Sequence, residues 1–210
     1  MIVEDVMVPK PFTIKKDKSL HDAQNKMVKQ SIRHLPVVEK GKLIGIITES
    51  DIRGAFINKK PNGKLERDPA KMKIENFMTQ DPMTVSKKTN IEDAALTIYQ
   101  NKVGALPVLD NGKLVGIISI MDMLGLFIDM MGILHSSSRI DVAIGGNEKD
   151  LKKVTKIISD NDLDIVSVGI ASDEYESAKE VYAFRLDLCE TKSVVEKIEQ
   201  AGFKVMAAFD

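Results

Sequence analysis

Residues Val3–Phe56 align with Ile74–Phe127 at a constant offset of 71 residues and without an insertion, and 19 of the 54 pairs are identical. A match of that length implies duplicated structure. Met7 aligns with Met78, Pro11 with Pro82 and Thr13 with Thr84. Leu35-Pro36-Val37 aligns with Leu106-Pro107-Val108, Gly45-Ile46-Ile47 with Gly116-Ile117-Ile118, and Asp51 with Asp122. Whatever one copy folds into, the other must fold into as well.

Each copy begins with a short extended piece after a proline, Phe12-Thr13-Ile14 or Met83-Thr84-Val85. A helical segment follows over Ser19–Gln30 or Asn90–Asn101, with Ser19 and Asn90 at the N-cap position. Leu20, Ala23, Met27 and Val28 fall on one helical face. Two apolar runs, His34–Val38 and Leu43–Thr48, are joined by Glu39-Lys40-Gly41-Lys42, and in the second copy by Asp110-Asn111-Gly112-Lys113. Asn-Gly between two such runs predicts a hairpin. A last helix starts near Ser50 or Met121. The predicted unit is β-α-β-β-α, with too few strands to bury both faces alone, so the copies are expected to pack together. We place the first repeat at residues 1–60, a connector at 61–73 with one helical turn, and the second repeat at 74–131.

The remainder has a different character. Residues 1–135 carry 20 Lys and Arg against 16 Asp and Glu, whereas residues 136–210 carry 10 against 15. The modest positive balance of the first part suits small anions and is too scattered to argue for nucleic acid. Ser136-Ser137-Ser138 marks a linker, placed at 132–138. In residues 139–210, Arg139–Ile144 alternates as a strand, Gly145-Gly146 turns the chain, and Asn147 caps a helix reaching about Asn161. Strands are predicted at Ile165–Ala171 and Glu180–Leu188, separated by the polar stretch Ser172–Lys179. A helix at Thr191–Ala201 stopped by Gly202 and a strand at Lys204–Phe209 complete a β-α-β-β-α-β order with an antiparallel sheet.

No run of 18 apolar residues suggests a membrane span, and the acidic start MIVEDVMVPK is not a secretory signal. Cys189 is the only cysteine, which excludes an internal disulfide and fits a reducing cytoplasm. It falls in an apolar strand pattern and is expected to be buried. His21, His34 and His135 have no metal-ligand spacing, and no nucleophile elbow, phosphate loop or dinucleotide fingerprint occurs. An enzyme is not expected. Met121, Met123, Met130 and Met131 suit either a subunit contact or core packing.

Thr48 ends a strand and Asp51 lies in the first turn of the following helix, where free N–H groups and the positive end of the helix dipole meet. Phosphate is favoured there. The Thr48 hydroxyl can donate to phosphate or ribose, and the Asp51 carboxylate can accept the ribose hydroxyls. Spacing alone favours the plainer alternative, a helix cap with a favourable acid.

Residues 1–130 resemble the CBS domain family in its paired arrangement, the Bateman module. The resemblance is carried by Met-Val-Pro-Lys-Pro and Met-Thr-Gln-Asp-Pro early in the two copies, by His34-Leu35-Pro36-Val37-Val38, and by Gly45-Ile46-Ile47-Thr48-Glu49-Ser50-Asp51. It implies a regulatory protein holding AMP, ADP or ATP in the cleft between repeats, with S-adenosylmethionine as another adenosine ligand. It implies nucleotide contacts from Thr48 and Asp51, and from Ser119 and Asp122 in the second copy. Softer implications are backbone contacts after the early proline, at Thr13-Ile14 and Thr84-Val85, and contacts near the Leu-Pro strand, at His34, Pro36, Ala105 and Pro107. Arg33 and Arg53 are the phosphate candidates, since a guanidinium binds phosphate through two hydrogen bonds. Gly104-Ala105 replaces Arg33-His34 in the second copy, so its site is expected to be weaker. A homodimer is also implied. The tail resembles the ACT domain, a ligand-sensing or pairing module with a ferredoxin-like fold, and the combination resembles acetoin-utilization proteins. Asp150 stands where amino-acid-binding ACT domains have glycine. The rival reading is a ligand-free adaptor that dimerises and pairs with another protein.

Overall fold

Both repeats build the predicted helices and hairpins, but the extended piece Phe12–Ile14 is reduced to one bridge and neither repeat builds its sheet alone. The structure, a computed structural model, describes residues 1–57, 68–135, 137–145, 148–172 and 179–210. The described chain divides into two compact units, Met1–Met123 and Leu124–Asp210. In the first unit the order is β1 (Val8–Pro9), α1 (Leu20–Gln30), β2 (His34–Glu39), β3 (Lys42–Thr48), α2 (Glu49–Ile57), β4 (Thr79–Gln80), β5 (Val85–Ser86), α3 (Ile91–Asn101), β6 (Ala105–Asp110) and β7 (Lys113–Ser119). Helix α4 (Ile120–Met130) continues from β7. Most of the connector lies outside the described residues.

The short strands β1 and β4, absent from the sequence reading, change the architecture. Strand β1 of the first repeat pairs with β7 of the second, through Val8 opposite Ile117. Strand β4 of the second repeat pairs with β3 of the first, through Ile46 opposite Thr79. The exchange continues outward with the same symmetry. Val3 N–H donates to Thr89 O (2.9 Å) and Ile74 N–H donates to Lys18 O (2.9 Å). Val3 and Ile74 are fully buried. The N-terminal exchanged segment is also clasped by a lysine of the second repeat, whose counterpart in the first repeat makes, among the described residues, only the pair within its own repeat. Lys87 reaches Glu4 (3.1 Å) and Asp110 (3.2 Å), and its counterpart Lys16 reaches Glu39 (3.0 Å). These acids hold both ammonium groups above the usual lysine pKa, Lys87 chiefly through the hydrogen bond it donates to Glu4 and Lys16 through the one it donates to Glu39. Gly45 and Gly116 admit the exchange. A Cβ on Gly45 would lie 2.7 Å from Met78 Sδ and 2.9 Å from Thr79 O, and one on Gly116 would overlap Met7 Sδ.

Ile14 and β5 add the parallel edges, Ile14 as a single bridge to Val37 and β5 through Val85 opposite Val108. Helix α1 is capped as expected, with Ser19 and Asp22 in reciprocal contact. Asn90 sits at the N-cap of α3 without a capping side-chain bond. Leu20, Ala23 and Met27 are buried, but Val28 is 75% exposed, one step beyond the buried stripe.

The second unit contains β8 (Ser137–Gly145), α5 (Glu148–Ser159), β9 (Ile165–Ser172), β10 (Lys179–Asp187), α6 (Lys192–Gln200) and β11 (Lys204–Phe209). Its antiparallel sheet has the order β11-β8-β10-β9. Ile140, Val142, Ile144, Phe184 and Leu186 pack with Val154, Ile158, Val194 and Ile198 of the two helices. Ser137 and Ser138, expected in a linker, belong to β8. Ser138 is buried because its hydroxyl donates to Cys189 O and accepts from Cys189 N–H, both at 2.9 Å. Cys189 itself lies beyond β10 and is half-buried, contrary to the strand expected there. The expected turn at Gly146, the Asn147 cap and the polar residues 173–178 lie outside the described residues. No described helix is long and apolar enough to cross a membrane.

Candidate functional site

In each repeat the inner hairpin strand runs directly into a helix, and that junction holds the paired hydroxyl and carboxylate. Thr48 donates to Asp51 Oδ2 through its N–H (2.8 Å) and its Oγ1 (2.7 Å), and Thr48 Oγ1 accepts Asp51 N–H at 3.2 Å. Ser119 and Asp122 repeat the pattern at 2.7, 2.6 and 3.4 Å. This is a helix-capping box. It also occurs at Ser19–Asp22, so the motif alone does not define a site. In both junctions Oδ2 takes the capping bonds, leaving Oδ1 to accept from outside, since an ionised carboxylate offers about four lone-pair positions. Thr48 Oγ1 is turned toward Asp51, and donation to a ligand requires it to rotate.

The surroundings separate these two junctions from the third box. His34 stands opposite Thr48 in the β2–β3 pair, and Ala105 opposite Ser119 in the β6–β7 pair. Glu49 N–H donates to Arg33 O (3.0 Å) and Ile120 N–H to Gly104 O (3.1 Å), fixing each helix start against the preceding strand. Around the first junction lie three basic side chains. Arg33 is exposed, with Nε 3.7 Å from Glu49 Oε2, and exposed Arg53 donates from Nη2 to Ser50 Oγ at 3.2 Å. His34 is half-buried, and its pKa is lowered first by burial and then by Arg33; Asp51, Asp122 and Glu49 pull it upward. Around the second junction the corresponding residues are Gly104, Leu124 and Ala105.

The remaining predicted residues fall into two groups. Thr84 is exposed and Thr13 is half-buried. Ile14 is buried, and its backbone is engaged in both directions: its N–H donates to Pro36 O (3.0 Å) and its carbonyl accepts Val38 N–H (2.9 Å). Thr13 O accepts Lys26 Nζ at 2.7 Å. A ligand contact at Thr13-Ile14 therefore has only the second carbonyl lone pairs or the Thr13 N–H and side chain to use. Val85 lies in β5, while Pro36, Ala105 and Pro107 are buried in the hairpins. A cleft of about 420 Å³ lies elsewhere, beside the β2–β3 turn, lined by Lys16, Glu39, Ile44, Glu75, Asn76, Met78, Gln80 and Asp81. It contains none of the candidate residues, and its one cation is already paired with Glu39. No group of three His, Cys, Asp or Glu suited to a metal occurs among the described residues.

Gly104 was readable only as the loss of a basic residue. In the structure it makes room for His34, since a Cβ there would overlap His34 Nε2.

Comparison with known proteins gives the same outline. The CBS domain family matches residues 3–58 and 74–129. A CBS domain-containing protein of Dictyostelium discoideum is 34% identical over 137 residues, covering 62% of this chain and 94% of its own. The CBS-pair protein CBSX2 of Arabidopsis thaliana, solved in complex with AMP, is 29% identical with a TM-score of 0.53, covering 61% of this chain and 96% of that one. A CBS domain pair solved with 5′-methylthioadenosine and S-adenosyl-L-methionine is 30% identical with a TM-score of 0.53, covering 60% of this chain and 95% of its own. The homoserine O-acetyltransferase of Methanococcoides burtonii is 37% identical over 122 residues, and the matched part is 23% of that enzyme.

Proposed function

The chain belongs to the CBS domain family, and on that premise we propose that it is a non-enzymatic regulatory protein whose N-terminal unit binds an adenine nucleotide at the Thr48–Asp51 junction. The observation that carries this reading is the asymmetry between two otherwise equivalent helix starts. Both offer a carboxylate, but the basic side chains beside them, Arg33, His34 and Arg53, all come from the first repeat. Adenosine is the chemistry common to the ligands of the similar solved structures. Two guanidinium groups favour a phosphorylated adenosine over a sulfonium cation, which places AMP, ADP or ATP ahead of S-adenosylmethionine. The Ser119–Asp122 junction is a weaker second site. Mass spectrometry of small molecules released from freshly purified protein is expected to identify an adenine nucleotide. Release of S-adenosylmethionine alone would overturn the phosphate assignment.

The C-terminal β-α-β-β-α-β unit is, in our reading, an ACT-like pairing or sensing module over residues 139–210. Asp150 lies in the first turn of α5 and argues against amino-acid binding there.

Helix α4 points to a homodimer. It has no buried residue, and Met121 and Met130 are each 64% exposed, beside exposed Ile120, Leu124 and Phe127. Its counterpart α2 buries Ile52 and Ala55. An amphipathic helix with its apolar stripe in water calls for a partner, and a second copy supplies the same stripe with twofold symmetry. Light scattering at micromolar concentration is expected to give about twice the 23.3 kDa chain mass. A monomer alone would contradict the dimer and favour a different protein partner for α4.

A further inference from the structure

We propose that His34 serves both nucleotide sites: it is carried by the first repeat but rests on the backbone that builds the second. The inference rests on the nucleotide-binding reading above and adds to it a shared residue.

The geometry has two halves. On its own side, His34 pairs with Thr48, whose N–H and hydroxyl hold Asp51. On the other side its imidazole lies against Gly104. A Cβ on Gly104 would overlap Nε2 and lie 3.2 Å from Cε1 and 3.6 Å from Cδ2. Gly104 O in turn accepts Ile120 N–H (3.1 Å), the first residue of the helix that carries Asp122. The internal alignment explains why only one imidazole is present: the counterpart of His34 is Ala105, and the counterpart of Arg33 is Gly104, which leaves the space His34 fills. Four charged groups act on the ring. Arg33 opposes its protonation, and Asp51, Asp122 and Glu49 favour it. One titratable ring thus senses the carboxylates of both junctions.

The sign of the linkage follows. Burial favours the neutral ring in the free protein. A phosphate brought close in either site favours the imidazolium, so nucleotide binding takes up a proton and tightens as pH falls.

NMR titration of the ligand-free protein tests the sharing directly. Asp51→Asn and Asp122→Asn are each expected to lower the pKa of the His34 ring while leaving His21 and His135 unchanged. If Asp122→Asn leaves His34 where it was, His34 belongs to the first site alone and the proposal fails, whatever the ligand results. Calorimetric titration with AMP supplies the functional arm. His34→Ala is expected to weaken AMP about tenfold at pH 6 and much less at pH 8. The second ionisation of the phosphate itself, near pH 6, cancels in the ratio of the two proteins. Gly104→Ala should reproduce the His34→Ala loss with the fold intact, because the new methyl meets the far end of a side chain that can swing away. In the His34→Ala background, Gly104→Ala should have no further effect. Equal losses at both pH values, or additive effects of the two substitutions, would overturn the proposal. Absence of AMP binding by the parent would instead count against the nucleotide reading, with the NMR result still deciding where His34 stands.

Discussion

A chain lacking residues 1–10 is expected to lose the fold of its N-terminal unit, although every residue of the second repeat is still present. The deletion removes fully buried Val3, the edge strand β1, and the bonds from Val3 N–H to Thr89 O (2.9 Å), Glu4 N–H to Lys87 O (2.9 Å) and Lys10 N–H to Val115 O (2.9 Å). Burying a valine contributes about 1.5–3 kcal/mol, and each hydrogen bond nets about 1 kcal/mol. The combined loss approaches the whole stability of an ordinary domain, about 5–15 kcal/mol. It falls on the second repeat, whose β7 loses one of its two neighbours and whose Lys87 loses Glu4. Circular dichroism melting checks this. A truncated chain melting within a few degrees of the parent would show that the exchanged segment is dispensable.

Asp51→Ala is expected to lower AMP affinity about ten- to a hundredfold, the largest effect on binding of any single substitution in the site. Hydrogen bonds to a charged group contribute roughly 1.5–3 kcal/mol, and 1.4 kcal/mol is tenfold in affinity. Asp51 also caps α2 by accepting from Thr48 N–H and Oγ1, so the free variant should be less stable by about 0.5–2 kcal/mol while staying folded. Asp122→Ala makes the same change in the capping box of α4 but sits where Gly104 and Leu124 replace Arg33 and Arg53. It should cost as much stability and far less affinity. That contrast separates ligand contact from capping: equal affinities for Asp51→Ala and the parent would leave Asp51 as a cap only.

The helices and hairpins were legible because each rests on local signals, such as Ser19 at a cap, the Leu20-Ala23-Met27 stripe and Asn111-Gly112 at a turn. The exchange of β1 and β4 was not. The two repeats are so alike that Val8-Pro9 and Thr79-Gln80 offer equivalent edges to either hairpin, and no local preference separates pairing within a repeat from pairing across. Ser137-Ser138 looked like a linker by composition, yet one buried hydroxyl bridging to the Cys189 backbone makes it strand. At the site, the Thr48–Asp51 and Ser119–Asp122 spacing was visible, but the capping bonds that occupy Oδ2 and the engagement of the Ile14 backbone depend on partners brought in by the fold. The meaning of Gly104 was hidden for the same reason: the side chain it accommodates comes from 70 residues earlier.

The central claim is that the folded N-terminal unit binds an adenine nucleotide, and thermal melting with and without AMP, ADP or ATP tests it most directly. A ligand that binds only the folded state stabilises it with the logarithm of its concentration, by about 2.7 kcal/mol at a hundredfold excess over the dissociation constant. The account predicts a rise in Tm of several degrees with at least one of these nucleotides, growing with concentration and largely lost in Asp51→Ala. A parent protein whose Tm no adenine nucleotide moves at millimolar concentration would contradict the account and leave the ligand-free adaptor as the better reading.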